Sequence, residues 1–535
     1  MVTDKTDVKM KTIQKLLIAC GLLLAGCSET PEEAAGLPGP DPVKYVSLRL
    51  DTGAGTRAEL DGDLRVKFQP GDMIDINGVA YEVFLLDDGT AAVPEVPEAD
   101  RYEAVFPSVC NFLQQTKESP NFKLPLAQFH AGPGTFGRNA MPMYGEATGI
   151  DEEKGYVNIR LHNMCGVLKL TLKGSATINS ILVEDRSGAP ISGYATLGTD
   201  DGGSKILVPG TASSARSYHL VMNCGGAGEG VALSENGTDF YIVLPVREYA
   251  SGLKIRITDR SHRAMTVDSP TPRTIKRNVV TETPAITYAP DADLIFAEYF
   301  DACVWGGDYV GNTKGYSPTQ TGQQQADGSL AGTTAAGSAT GVEEAPFYVM
   351  ENAAGTADYT NVWNAAPSAS GGNVTAEYLR NRNLYDWTFL YRCSEFQGCL
   401  RISSPTLGRG KIHSPTMKNI TDGAAHKAQI TFRVSCAAGA DQTDNLGCWL
   451  GDGPTGKNNG EICEEIYING ESVSVTNKQF AYIPISKIGS SGWSEVRLVV
   501  SGFTKISAFN FMKQQNTNTT KTLFFVDDIE VRLLD

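Results

Sequence analysis

Alternating apolar and polar residues dominate the chain from Val46 onward. In the clearest runs every second side chain is Val, Ile, Leu or Phe and the others are polar, as in residues 46–51, 168–173, 253–258 and 430–435. This period of two is typical of a strand with one buried and one solvated face. No long amphipathic helix pattern occurs outside the N-terminal segment. The pattern therefore predicts an all-β chain of antiparallel sandwiches.

Two stretches interrupt the alternation. Residues 31–42 are acidic and rich in Pro and Gly, and we interpret them as a tether. We interpret residues 283–293, "TPAITYAPDAD", as a linker between larger bodies. All five tryptophans lie beyond the second stretch, which indicates a different kind of domain at the C-terminal end. Within it, residues 321–341 have low complexity and predict a mobile loop.

The N-terminal segment has the order of an export signal. Lys11 and Lys15 precede an apolar run, 16–24, that is too short to span a bilayer. The run ends in "LAGC", which resembles the lipobox of bacterial lipoproteins. The resemblance implies a signal peptide of residues 1–26, with Met10 as a plausible start, a covalent lipid on Cys27 and a flexible tether of residues 27–43. The acidic residues after Cys27 resemble those that send such lipoproteins to the outer face, so we expect a surface-exposed protein held in the outer membrane.

Composition narrows the classes of partner. The 535-residue chain has a formal net charge of -15, which argues against nucleic acid as a partner. Nine of the 11 cysteines remain after the signal and Cys27 are set aside, without a CxxC pair, so neither a disulfide framework nor a zinc site is expected. Most are predicted to be buried thiols. Pairs of Cys393 with Cys399, or of Cys436 with Cys448, stay open.

Residues from about Tyr45 to Tyr288 carry a series of blocks in a particular order. They are "TRAEL" at 56–60, "FQPGDMIDI" at 68–76, "YEAVFPS" at 102–108, "FKLPLAQ" at 122–128, "MPMYGEA" at 141–147, "LHNMCGVLKLTLKG" at 161–174 and "FYIVLPVREYASGLKIRITD" at 240–259. This order resembles the fimbrillin-like surface lipoproteins, whose subunits build pili. The resemblance implies two tandem transthyretin-like sandwiches, residues 44–165 and 166–288.

The same resemblance implies a processing event. Fimbrial members are cut after an arginine in a "TR-A" context, which removes the lipidated segment with the first strand and opens a groove for a strand from a neighbouring subunit. Here the corresponding bond is Arg57–Ala58. Strand addition would then supply the pilus partner. The alternative is an ordinary surface arginine on a permanently anchored lipoprotein. Because residues 294–535 follow the fimbrillin-like region, a tip or accessory adhesin fits better than a shaft subunit.

The C-terminal region carries a second resemblance. "FAEYFDACVWGGDY" at 296–309, "LRISSPTLGRGKIHSPTM" at 400–417, "HKAQITFRVSC" at 426–436 and "LFFVDDIEVRLL" at 523–534 together resemble carbohydrate-binding jelly rolls. The resemblance implies a β-jelly-roll sandwich over residues 294–535 and a structural calcium, for which the candidates are Glu298, Asp301, Asp527 and Asp528. Asp527 and Asp528 could instead simply end a strand.

Aromatic residues are the candidate glycan contacts of this domain. Trp305, Tyr309 and Trp363 lie in Gly-, Asn- and Asp-rich sequence, so we predict them as ligand-binding residues. Trp387 lies in the strand-like run "LYDWTFLYR" and is predicted to be core.

Catalytic patterns are weak. "GDGPTGKN" at 451–458 approaches a phosphate loop, but Asn458 stands where Ser or Thr would bind magnesium, and no helix pattern follows. The six histidines form no HExxH and no GxSxG occurs. We therefore expect binding rather than enzymatic turnover, by a fimbrial tip or accessory adhesin. The alternative is a cell-anchored glycan-binding protein for polysaccharide capture; a glycosidase would need two carboxylates facing a cleft.

Overall fold

The computed structural model describes most of the chain from Lys44 onward. The described residues are 44–51, 68–87, 90–108, 111–113, 121–124, 127–138, 140–151, 153–210, 216–224, 229–300, 323–324, 330–331, 384, 386–391, 393–396, 399–402, 410–436, 443–451, 457–488, 493–514 and 524–534. The chain forms two units, Met1–Lys44 and Tyr45–Asp535. All features below belong to the second unit.

Twelve strands precede the first predicted domain boundary. They are β1 (Tyr45–Asp51), β2 (Met73–Ile76), β3 (Val79–Glu82), β4 (Phe84–Leu85), β5 (Ala91–Pro97), β6 (Arg101–Phe106), β7 (Asn111–Leu113), β8 (Asn121–Leu124), β9 (Ala127–Phe129), β10 (Met143–Thr148), β11 (Val157–Arg160) and β12 (His162–Asn163). Asn77 and Gly78 join β2 to β3 with φ values of 50° and 85°. This two-residue turn is the one that matches the twist of a hairpin.

Fourteen strands follow up to Thr287. They are β13 (Gly166–Lys173), β14 (Thr177–Asp185), β15 (Ser192–Thr199), β16 (Lys205–Pro209), β17 (Arg216–Ser217), β18 (His219–Asn223), β19 (Val231–Ala232), β20 (Thr238–Leu244), β21 (Arg247–Tyr249), β22 (Leu253–Asp259), β23 (Ala264–Ser269), β24 (Arg273–Ile275), β25 (Val280–Glu282) and β26 (Ile286–Thr287).

The C-terminal region holds the remaining described strands. They are β27 (Leu294–Glu298), β28 (Gln323–Gln324), β29 (Leu330–Ala331), β30 (Thr388–Tyr391), β31 (Cys393–Phe396), β32 (Cys399–Ile402), β33 (Gly410–His413), β34 (His426–Cys436), β35 (Asn445–Gly451), β36 (Ile462–Ile468), β37 (Glu471–Val473), β38 (Phe480–Pro484), β39 (Ser494–Phe503), β40 (Ala508–Lys513) and β41 (Phe524–Leu533). A short 3-10 helix spans Ile485–Lys487.

The first sandwich packs two sheets around one core. Their strand orders are β11-β1-β5-β4 and β12-β10-β6-β2-β3. Leu48 and Leu50 of β1 belong to the same buried cluster as Ile74 of β2 and Tyr102 of β6. The alternation in residues 46–51 therefore places its apolar side chains inward, as predicted.

The second sandwich is built in the same way. Its sheets have the orders β20-β13-β25, with β26 also on β13, and β23-β22-β14-β18-β9, with β19 on β14. Leu168, Leu170 and Leu172 are fully buried against the facing sheet. A further sheet, β16-β15-β8-β7 with β17 on β15, joins residues from both sides of the predicted boundary at residues 165 and 166.

The C-terminal sandwich consists of two antiparallel sheets. Sheet H has the order β31-β32-β41-β34-β39-β36-β37, with β27 on β41, and sheet J has the order β30-β33-β40-β35-β38. Phe432 of β34 and Phe511 of β40 meet in their common core with ring centroids 4.9 Å apart. The predicted class, two tandem transthyretin-like sandwiches followed by a jelly-roll sandwich, is confirmed.

Two predicted connections are partly described. In the linker, β26 pairs in parallel with β13 and Tyr288 is buried, while Asp291 and Asp293 accept hydrogen bonds from Arg532. In the predicted mobile loop, residues 321–341, only the paired strands β28 and β29 fall within the described residues.

Candidate functional site

The first strand lies inside a sheet rather than at its edge. β1 pairs antiparallel with β5, placing Leu48 opposite Val93, and parallel with β11, placing Leu48 opposite Val157. Backbone hydrogen bonds therefore hold β1 on both sides. Removal of β1 would leave β5 and β11 each with an unpaired edge, separated by the width of one strand.

Side chains of β1 fill the space beneath it. Val46, Leu48 and Leu50 are 8%, 0% and 4% exposed and belong to the core of the first sandwich. Burial of each contributes about 1.5–3 kcal/mol. On the outer face, Arg49 donates a hydrogen bond of 3.1 Å to Thr90 Oγ1 and lies 5.2 Å from the ring centroid of Tyr156. β1 thus fills a groove with three apolar positions on alternate residues.

The chain is held on both sides of the predicted cleavage site. The carbonyl of Asp51 at the end of β1 accepts a hydrogen bond of 2.7 Å from the backbone N–H of Leu161. Phe68, the next described residue, is buried against Phe106, with ring centroids 4.9 Å apart. Arg57 and Ala58 lie between Asp51 and Phe68 in the chain and are outside the described residues. Cys27, which precedes β1, is also outside them. A cut at this bond would separate β1 from the rest of the first sandwich.

Three of the four predicted calcium ligands lie on adjacent strands. β27 pairs with β41 and places Glu298 opposite Ile529, next to Asp527 and Asp528. β41 carries a bulge here, because Thr431 of β34 pairs with Glu530 whereas Arg433 pairs with Asp527. Asp528 takes a φ of 47° in this bulge. Bulges redirect side chains at the point where they occur.

Arginines face the two aspartates. Arg433 Nη2 donates a 2.6 Å hydrogen bond to Asp527 Oδ2, and its Nε lies 2.7 Å from Asp528 Oδ2. Arg256 Nη1 lies 3.6 Å from Asp528 Oδ1, and its guanidinium lies 3.8 Å from the ring centroid of Tyr299. Asp527 is 3% exposed, and its ion pair with Arg433 offsets part of the cost of burying its carboxylate.

Glu298 has different partners. Its Oε1 accepts a 3.0 Å hydrogen bond from the backbone N–H of Phe300, and its Oε2 lies 3.6 Å from His262 Nδ1. Both side chains are buried, and the His262 ring stacks on Phe296 at 5.1 Å. Glu298 thus contributes to the packing between the second sandwich and the C-terminal region.

The described carboxylates do not assemble a cation site. Among the described residues, no group of three or more His, Cys, Asp or Glu side chains could hold a metal ion. Calcium takes six to eight oxygen ligands, and here guanidinium groups lie against the aspartates. Asp301, the fourth predicted ligand, is outside the described residues. Calcium therefore remains a prediction, and the role seen for Asp527 and Asp528 is pairing with Arg433 and Arg256, two residues that sequence reasoning missed.

The remaining predicted sites are distributed as follows. Trp305, Tyr309 and Trp363 lie outside the described residues. Trp387 is 3% exposed and belongs to the core, as predicted. Six described cysteines are buried and lie outside any disulfide, namely Cys165, Cys224, Cys399, Cys436, Cys448 and Cys463. Burial raises the pKa of Cys436 to about 11 and that of Cys463 to about 12.

Comparisons with known proteins give weak likenesses to surface proteins. A cell-adhesion candidate from Bacteroides uniformis matches 46% of this chain and 94% of its own, at 13% identity and a TM-score of 0.29. A fimbrial protein from Bacteroides ovatus matches 69% of this chain and 68% of its own, at 13% identity and a TM-score of 0.21. A C-terminally truncated tip fimbrial protein from Porphyromonas gingivalis matches 46% and 96%, at 14% identity and a TM-score of 0.22.

Other comparisons add little. A xylan-binding domain from Paenibacillus barcinonensis matches 28% of this chain and 87% of its own, at 11% identity and a TM-score of 0.17. No protein-family model and no curated protein matches the chain. Within the described residues, no helix is both long and apolar enough to cross a membrane.

Proposed function

We propose that this chain is a surface adhesin of the fimbrial kind, anchored in the outer membrane through lipid on Cys27, whose first sandwich can exchange β1 for a strand of a partner subunit. The chain would act by binding rather than by catalysis. Cleavage of the Arg57–Ala58 bond would release both the anchor and β1, so that the same event frees the protein and opens the groove.

The observation that carries this proposal is the position of β1. It fills a groove between β5 and β11 with three buried apolar side chains on alternate residues. A replacement strand needs only main-chain hydrogen bonds and the same alternation, which is how strand addition obtains its affinity and register. The loss of β1 alone would expose this apolar surface to water, which favours its replacement.

The C-terminal sandwich supports a terminal position in a filament. β41 pairs with β27, β32 and β34 within sheet H. A strand so placed is not available for donation to another subunit. The chain can therefore accept a strand through its first sandwich without offering β41 in return, which fits a tip or accessory subunit better than a shaft subunit.

The experiment is strand exchange after cleavage. The full chain is treated with an arginine-specific protease, and mass spectrometry identifies the new N-terminus, which we expect at Ala58. A fluorescent peptide copying residues 44–51 should then bind the cut chain and not the Arg57→Gln chain. The same peptide with Leu48→Glu is the matched control and should not bind, because it would place a charge in the core. A cut chain that has lost β1 and still fails to bind the peptide would contradict the proposal.

The second candidate is a cell-anchored glycan-binding protein for polysaccharide capture. The partly exposed aromatic side chains on sheet J favour it. The two proposed functions predict different N-terminal residues for the protein recovered from native cells. A chain that begins at Ala58 without lipid supports strand exchange, whereas one that begins at acylated Cys27 supports the anchored glycan binder.

A further inference from the structure

Four Asn-Gly pairs occur in the chain, each at a turn next to a strand. They are Asn77-Gly78, Asn236-Gly237, Asn459-Gly460 and Asn469-Gly470. The first joins β2 to β3 and the last joins β36 to β37, whereas the other two precede β20 and β36. Glycine carries no Cβ, so its backbone nitrogen can approach the side-chain carbonyl carbon of the asparagine before it. The four pairs therefore share one chemistry in different structural settings.

Two of the asparagine side chains are held by a neighbouring strand. Asn77 Oδ1 accepts a 2.8 Å hydrogen bond from the N–H of Glu103, and its Nδ2 donates one of 3.0 Å to the carbonyl of Arg101. Asn469 Oδ1 accepts a 3.0 Å hydrogen bond from the N–H of Glu495. To react with the following glycine, each side chain would have to leave its strand and fold back over its own backbone. The hydrogen bonds oppose this movement.

The other two asparagine side chains are open. Asn236 and Asn459 are exposed, and within the described part of the chain their side chains make no hydrogen bond. The N–H groups of the glycines that follow them donate hydrogen bonds of 3.1 and 2.9 Å, to the Ser234 carbonyl and to Asn458 Oδ1. These bonds are confined to exposed turns, which open locally at little cost. The side chains of Asn236 and Asn459 can therefore reach the backbone nitrogen ahead of them.

The turns themselves require the glycines. Gly237 and Gly460 have φ values of 110° and 112°. A Cβ atom on Gly237 would also lie 2.8 Å from Cγ2 of Thr171. A residue with a Cβ would be strained at both positions. The reactive neighbour of each asparagine is thus a consequence of the backbone conformation.

We propose that Asn236 and Asn459 are sites of spontaneous deamidation and that the fold protects Asn77 and Asn469. The glycine nitrogen loses its proton and bonds to Cγ of the asparagine, whose C–N bond breaks, and the amide leaves as ammonia. Water then opens the resulting succinimide ring to aspartate or isoaspartate. Each conversion adds about 1 Da and one negative charge to an exposed turn. Water is the only co-reactant, and the inference is independent of the adhesin proposal.

The test follows the full chain during incubation at mildly alkaline pH and physiological temperature. Samples are digested with pepsin in acid, which limits further reaction, and mass spectrometry measures the deamidated fraction at each pair. We expect Asn236 and Asn459 to react about tenfold or more faster than Asn77 and Asn469. Asn236→Gln and Asn459→Gln should each abolish the reaction at its own turn and leave the other unchanged. These variants keep both glycines, and circular dichroism reports whether each folds.

The same chain unfolded in urea is the matched control. Without the strand contacts all four pairs should react at similar rates, because protection belongs to the fold and not to the dipeptide. An absence of reaction at Asn236 or Asn459 in the folded chain overturns the proposal. So does a rate at Asn77 or Asn469 that equals theirs before urea is added.

Discussion

The two junctions between the three sandwiches are built in different ways. Between the first and second sandwiches the backbone itself crosses, since β8 pairs with β15 and β9 pairs in parallel with β18. Gln128 of β9 extends this pairing with its side chain. Its Nε2 donates a 2.7 Å hydrogen bond to the carbonyl of Val243, and its Oε1 accepts one of 2.9 Å from the N–H of Val243.

The second junction depends on fewer and more local contacts. The N–H of Ala297 donates a 2.6 Å hydrogen bond to the carbonyl of His262. Asn419 Nδ2 lies 2.7 Å from the carbonyl oxygens of both Ser261 and Ile295. Among the described strands, no sheet of the second sandwich continues into the C-terminal sandwich.

The difference indicates how the chain should unfold. Shared sheets transmit the loss of one sandwich directly to its neighbour, whereas side-chain contacts can be lost while each core stays intact. We therefore expect the first two sandwiches to behave as one cooperative unit and the C-terminal sandwich to unfold separately. The chain offers a convenient readout, because all five tryptophans lie in the C-terminal region.

The largest loss of stability in the first two sandwiches is expected for Gln128→Leu. The side chain is 1% exposed, and its replacement leaves the N–H and carbonyl of Val243 without their partner. Two buried groups left without hydrogen-bond partners lower the free energy of unfolding by about 2–6 kcal/mol together. Hydrogen exchange of the β13 and β20 amides in a urea series should show this loss, whereas the tryptophan fluorescence transition should not move.

The matched control is Gln479→Leu, which changes an exposed glutamine and should have no comparable effect. A Gln128→Leu chain in which the fluorescence transition shifts as far as the exchange transition would show that all three sandwiches are coupled. The contrast between the two junctions would then be wrong.

A smaller effect is expected from acid. Glu184 of β14 lies between His219 of β18 and Lys254 of β22, with Nε2–Oε1 and Nζ–Oε2 distances of 2.8 and 3.0 Å. Burial on its own would raise the pKa of Glu184, but these two partners lower it to about 2. Because the folded-state pKa lies below the unfolded value of about 4.3, the stabilisation is complete above that value and is lost as the pH falls towards 2.

Glu184→Gln should therefore lower the free energy of unfolding by about 2–3 kcal/mol at neutral pH. The free energy of unfolding of this variant should also fall less steeply than that of the parent chain between about pH 4 and pH 2. Urea midpoints measured across this range by hydrogen exchange in the second sandwich check it. Glu229→Gln, an exposed position, is the control. An unchanged pH slope in Glu184→Gln would mean that other carboxylates dominate acid unfolding.

Local patterns predicted the sheets well because the relevant information is local. Alternation in β1, β13, β22 and β34 gave both the strands and their inward faces, since side chains on a strand must point to opposite sides. The interior position of Trp387 followed from the apolar run around it. These features need no knowledge of distant residues.

Contacts between distant residues were not predictable in this way. Gln128 and Val243 are separated by 115 residues, and Arg433 and Asp527 by 94. Nothing in the sequence near either member indicates its partner. The partly exposed rings of Phe480 and Tyr482 had a weak local indication, because "FAYIP" in β38 is apolar on both faces, whereas a strand with a solvated outer face alternates. Glycine-rich composition directed attention instead to Trp305 and Trp363.

The smallest effect, and the most direct test of the second junction, is expected for Asn419→Ala. Its amide bridges the carbonyls of Ser261 in the second sandwich and Ile295 in β27, and the side chain is partly exposed. Water can therefore replace part of the two hydrogen bonds that the Asn419 amide makes, so the free energy needed to open the junction should fall by about 1 kcal/mol. The Ala297 amide should exchange several-fold faster, while amides of β34 and β40 keep their protection.

Asn477→Ala, also partly exposed and away from this contact, is the control. If the β34 amides lose protection from hydrogen exchange together with the Ala297 amide, the second junction and the C-terminal core unfold in one step. The side-chain contacts at the second junction would then couple their neighbours as strongly as the shared sheets do at the first.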